Sequence, residues 1–172
     1  VLVTDYEFKQ NKANSVVNRV RAGAISIESI TESVTIDSST LFNNTASSRD
    51  GAAFGGALRL KTSCLVEIRN STFQHNSIYS KISGAYGGAI EVSNAIEPII
   101  ITNTSFIQNS ACSNEGSSYG GAIRIVDSNK TDMNFCSFTN NSAISKTTTF
   151  GGAVCATDIP DLQVSDCDFD RN

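Results

Sequence analysis

Tryptophan is missing from this chain of 172 residues, histidine and methionine occur once each, and proline only twice. With a single histidine, His75, and five cysteines that lack close ligand spacing, the usual zinc sites have no basis. Positive charge is also sparse. Thirteen Lys and Arg stand against 17 Asp and Glu, for a net charge of -4, and no basic stripe is available to neutralise phosphates, which argues against nucleic acid as a partner. No apolar run approaches the roughly 18 residues that span a bilayer. The first residues show no charged-then-apolar leader pattern either, so direct membrane insertion by this segment is not expected. Helical apolar periodicity is absent throughout.

What the chain does have is Ser, Thr, Asn and Gly, with 40% hydrophobic residues, enough for one core. Ser, Thr and Asn compete with the helix backbone for hydrogen bonds and suit strands joined by polar corners. Five Asn-x-Ser/Thr sequons, at Asn43, Asn70, Asn103, Asn129 and Asn140, favour passage through a eukaryotic secretory pathway and make these residues candidates for N-linked glycans.

Two motifs recur in step. An aromatic residue, two glycines, an alanine and an aliphatic residue appear as FGGAL at Phe54, YGGAI at Tyr86 and Tyr119, and FGGAV at Phe150, with a shorter RAGAI at Arg21. Out of phase with it run FKQN at Phe8, LFNN at Leu41, FQHN at Phe73, FIQN at Phe106, FTNN at Phe138 and FDRN at Phe169. Both landmarks repeat every 31–33 residues, which is the signature of a solenoid. Apolar residues alternate after the glycines (Leu58, Arg59, Leu60) and before the phenylalanine (Val66, Glu67, Ile68). That pattern predicts strands with one buried face.

The chain is therefore expected to be all-β: one segment over residues 1–172, a single-stranded parallel β-helix of about five coils with three short strands per turn. Coils stacked about 4.8 Å apart turn each repeat position into a column of like residues. Phe8, Leu41, Phe73, Phe106, Phe138 and Phe169 form an inward column, and Asn11, Asn44, Asn76, Asn109, Asn141 and Asn172 form an asparagine ladder. Ser26, Arg59, Glu91, Arg124 and Cys155 form an outward column expected to be exposed, with opposite charges on successive coils. The RAGAI corner, short of an aromatic and a glycine, is expected to differ. Cys136 and Cys167, each two residues before the phenylalanine, fall on neighbouring coils at a spacing that suits either a disulfide or two free thiols. Cys155 is expected to point outward.

With both motifs aligned, the sequence resembles the repeat of the polymorphic outer-membrane proteins, chlamydial autotransporter adhesins whose passenger region pairs GGA[ILV] with FxxN; similar repeats occur in protist surface proteins. GGA[ILV] stands here at Gly55, Gly87, Gly120 and Gly151, and FxxN at Phe8, Phe73, Phe106, Phe138 and Phe169. The resemblance implies a right-handed β-helix, pectate-lyase-like in form, on a cell surface and used in adhesion or as a stalk. The absence of polar caps in the sequence leads us to expect a piece of a longer solenoid.

Chemistry is harder to place. Asp5 and Glu7 share columns with Asp166, Asp168 and Asp170, about 24 Å away across five coils, so they do not form one site. Thr40, Thr72, Ser105 and Ser137 lie between them. His75 sits in a turn position filled elsewhere by Gln10, Asn43, Gln108, Asn140 and Arg171. No catalytic residue, metal or cofactor is expected. The function expected is an extracellular or cell-surface scaffold, spacer or adhesion surface, with protein assembly partners or surface glycans bound along outward columns and the loops Ser80–Ala85 and Ser113–Ser118. The alternative is a carbohydrate-active β-helix, a polysaccharide-binding module or a lyase or hydrolase, whose active groups lie outside this segment.

Overall fold

The computed structural model describes residues 1–62 and 64–172, which form short parallel strands and no helix. The strands build five sheets, two of six strands and three of five, in which every strand pairs with its counterpart one coil away. One coil runs through Leu65–Arg69, Thr72–Gln74, Ser77–Ser80, Ala85–Tyr86 and Ile90–Ser93. Registers match the repeat alignment: Phe73 pairs with Leu41 and Phe106, and Arg59 with Ser26 and Glu91.

A turn thus has five strands, where three were expected. The difference lies in the corners. Asn70 and His75, with φ of 52° and 54°, each turn the chain in a single left-handed residue. Their amides still donate to the next coil, at 3.1 Å to Thr102 and 3.0 Å to Ile107. The backbone bends without leaving the ladder, so the FxxN segment is itself a strand. Asn and Asp tolerate this conformation best among non-glycine residues. The corner column that contains Asn70 and Asn103 also holds Phe135, exposed and at φ 54°.

Inside, Val66, Ile68, Leu58, Leu60 and Phe73 are fully buried. The phenylalanines stack with centroids 5.2 Å (Phe73–Phe106), 4.9 Å (Phe106–Phe138) and 4.6 Å (Phe138–Phe169) apart. Burying such a ring is worth roughly 1.5–3 kcal/mol, and the shared rotamer lets one ring cover the next.

Inside the asparagine ladder each carboxamide uses its whole hydrogen-bonding capacity. Asn76 Nδ2 donates to the Leu41 carbonyl at 2.8 Å and to Asn109 Oδ1 at 3.1 Å. Its Oδ1 accepts from the backbone and side-chain N–H groups of Asn44, both at 3.0 Å. Asn109 and Asn141 repeat the pattern. Only a carboxamide offers two donors and two acceptor sites in one plane. Leu, Asp or Gln at this spot would lose either the donors or the reach.

A second polar column went unread in the sequence. Ser39, Ser71 and Thr104 each donate a hydroxyl to the carbonyl two residues before, at 2.7, 2.7 and 2.9 Å. Cys136 and Cys167 occupy the next two places and do the same through sulfur, toward Asn134 at 3.3 Å and Ser165 at 3.2 Å. All five cysteines are free. The pair stands on neighbouring coils as the spacing requires, each thiol turned to its own corner carbonyl. Burial pushes the Cys136 thiol up to about 11.

Candidate functional site

The glycine corner shapes the main concavity. Gly87 is left-handed, with φ 74°. At Gly88 an added Cβ would collide with the carbonyl oxygen of Gly121 and come within 2.6 Å of the Ser110 backbone. The first corner does not differ in backbone as expected, since Ala22 takes φ 75° in the place of the first glycine. Only the side chain before it changes: Arg21 pairs with Phe54 and heads the aromatic column.

This corner folds the two-residue strands back against the strands that follow. Phe54, Tyr86, Tyr119 and Phe150 stack at 4.9, 5.0 and 4.9 Å, and they face the charged column. The Arg59 guanidinium lies 5.2 Å from the Phe54 centroid, and that of Arg124 lies 4.8 Å from Tyr86 and 5.5 Å from Tyr119.

Ser26 is exposed as expected, but from Arg59 onward the column is covered, Arg124 partly. Arg59 retains 8% of its surface, Glu91 2% and Cys155 8%, because the rings exclude water from a face that points away from the core. Glu91 is held between Arg59 Nε at 3.2 Å and Arg124 Nη1 at 3.4 Å, and Arg59 also contacts Glu28. Arg59 Nε and Glu91 Oε2 meet as charges without hydrogen-bond alignment. Burial pushes the Glu91 carboxyl up, and the guanidiniums of Arg59 and Arg124 oppose it. In such a buried network the cost of desolvation offsets much of the attraction, but removing one partner leaves an uncompensated buried charge. Tyr86 is likewise raised, by burial first and by Tyr119 next, against the pull of Arg124 and Arg19.

Along this face runs an open groove of about 940 Å³, lined by Arg19, Arg21, Phe54, Ser83, Tyr86 and Arg124 among others. Two of the repeated aromatics, Phe54 and Tyr86, which the sequence assigns to structure alone, are part of its wall. Arg19 carried no sequence signal, since it lies in a loop outside both motifs.

The other candidate residues lie elsewhere. Glu7 is paired with Lys9 and Asp170 with Arg171. Asp5, Asp166 and Asp168 are exposed, and Thr40, Thr72, Ser105 and Ser137 separate Glu7 from Asp168 along one column. Among the described residues, no three His, Cys, Asp or Glu side chains converge to hold a metal ion. His75 is exposed and meets Phe42 edge-on at 5.5 Å. The sequon residues Asn43, Asn70, Asn103, Asn129 and Asn140 are all exposed. Four of them, all but Asn129, occupy left-handed corners.

Coils, columns and corners together define a parallel β-solenoid. Residues 135–157 match the Chlamydia polymorphic membrane protein (Chlamydia_PMP) repeat, the same repeat that the paired motifs resemble. The matched stretch holds one FxxN motif, Phe138–Asn141, and one glycine corner, Phe150–Val154. No curated protein and no solved structure matches the chain.

Proposed function

We propose that this chain is a rigid, non-catalytic scaffold displayed outside the cell, whose loops and outer faces contact protein partners or surface glycans. The observation that carries this reading is the division of labour among its polar groups. The buried asparagines and corner hydroxyls are consumed in holding one coil to the next. Glu91 is held between two guanidiniums rather than presented to a reactant. What remains free is variable loop surface, including the exposed Lys81 and Ile82 within the loop Ser80–Ala85, whose half-buried Ser83 borders the groove.

The match to a membrane-protein repeat supports a surface location, and the five exposed sequons fit a secreted chain that carries N-linked glycans. Beads coated with the chain and presented to cultured cells test the adhesive role: retention above protein-free beads supports it, and none refutes it. Release of reducing ends from a polysaccharide panel would overturn the non-catalytic reading in favour of a carbohydrate-active one.

A further inference from the structure

We propose that the groove beside the aromatic column binds an acidic polysaccharide, one whose sugars carry carboxylate or sulfate groups. The inference rests on the surface-contact reading above and names the ligand class.

Charge is the first support. The whole chain has a net charge of -4, yet the groove and the side chains behind it gather Arg19, Arg21, Arg59 and Arg124 against two carboxylates, Glu28 and Glu91. No carboxylate lines the groove itself. Among the described residues Arg19 has no ion-pair partner, and Arg21 has only Glu28, at 3.4 Å, a carboxylate already in contact with Arg59. Arg124 makes one long bond, 3.4 Å to Glu91, out of five guanidinium donors. Its Nε is buried without a hydrogen-bond acceptor.

The wall supplies the second. Phe54 and Tyr86 line it, and because they stack face to face, with Tyr119 continuing the column, ring edges rather than ring faces border the groove. Ring edges carry partial positive charge and favour anions and oxygen acceptors. Guanidinium forks match carboxylate and sulfate geometry.

Shape separates a polysaccharide from an acidic peptide. The groove crosses several coils, from Arg19 and Arg21 through Phe54 and Tyr86 to Arg124. Its polar lining offers no deep apolar pocket for an aliphatic anchor. Its strands Val20–Arg21, Ala53–Phe54 and Ala85–Tyr86 are hydrogen-bonded to one another, and the one open edge, the outer side of Val20–Arg21, is two residues long, too short to seat an added peptide strand.

Binding of the intact chain to immobilised heparin, polygalacturonate and neutral dextran is the test, with the double variant Arg19→Ala/Arg21→Ala and, as a charge control on another face, Lys9→Ala. Both arginines are exposed, so circular dichroism should report an unchanged fold. We expect saturable, salt-sensitive binding to heparin, polygalacturonate or both and none to dextran. The double variant should bind at least about tenfold more weakly, with Lys9→Ala close to the parent. A preference for heparin identifies sulfate as the recognised group, and one for polygalacturonate identifies carboxylate.

Absence of binding to both acidic polymers overturns the proposal, as does equal weakening by Lys9→Ala, or polyglutamate competing as well as the sugars do. Cell adhesion that persists after enzymatic removal of acidic glycans, with the double variant as adhesive as the parent, would refute this inference while leaving the scaffold reading standing. Loss of adhesion by every form would refute the scaffold reading instead.

Discussion

Replacing Asn76 by leucine puts the asparagine ladder to a quantitative test. The two side chains branch alike at Cγ, so no cavity opens, and the bulkier methyls of leucine add a modest overpacking cost to the lost hydrogen bonds. Four bonds disappear. Asn109 Oδ1 keeps the Asn76 backbone N–H at 3.0 Å and the Leu41 carbonyl keeps its place in the strand ladder, but the two Asn44 N–H groups lose their acceptor inside a region with no access to water. Asn44 and Asn76 are both 0% exposed.

A buried group left unpaired costs about 1–3 kcal/mol, so the two N–H groups together should lower stability by about 4 kcal/mol. That is a large share of the 5–15 kcal/mol typical of a domain, and it should move a urea midpoint down by about 2 M. Asn172, at the exposed end of the ladder in this chain, provides the comparison: water replaces the lost bonds in Asn172→Leu, which should cost about 1 kcal/mol. Urea unfolding followed by circular dichroism, with hydrogen exchange at the Asn44 amide, measures both. If Asn76→Leu costs less than about 1 kcal/mol, or no more than Asn172→Leu, the ladder is not what holds the corner.

Three further outcomes are expected. Gly88→Ala forces a Cβ into the Gly121 carbonyl and should cost about 3 kcal/mol or prevent folding; near-parent thermal stability would count against a steric need for glycine. Phe135→Asn installs the residue used at Asn70 and Asn103 in the same left-handed corner and should raise stability by about 1 kcal/mol, read from the melting temperature. For Cys136, the folded thiol at about 11 lies above its ordinary 9.0, so the unfolded chain loses its proton first as pH rises. Its contribution is intact below pH 9.0 and is lost between there and about 11. Cys136→Ser preserves the hydroxyl pattern of Ser71 and Thr104 and should show no such decline, so a constant difference between the two urea midpoints from pH 8 to 10.5 would refute the assignment.

Much of this was legible beforehand because a solenoid converts sequence distance into spatial contact. Residues one period apart are neighbours, so aligning Phe73 with Phe106, or Asn76 with Asn109, already stated a contact. The hydroxyl column of Ser39, Ser71 and Thr104 was open to the same treatment, but its continuation as Cys136 and Cys167 drew attention to sulfur and away from the shared bond to a carbonyl.

The sequence by itself determined the period, the register and the direction of each side chain, since stacking makes these local properties repeated along an axis. Only the tertiary structure decided how the coil bends between its strands. Alternation in Leu58-Arg59-Leu60 places Arg59 away from the core, correctly, yet a polar position on an outer face is solvated only if nothing covers it. The turn at Gly55–Gly56 brings Phe54 over that face, and so buries Arg59 and Glu91 and opens the groove beside them.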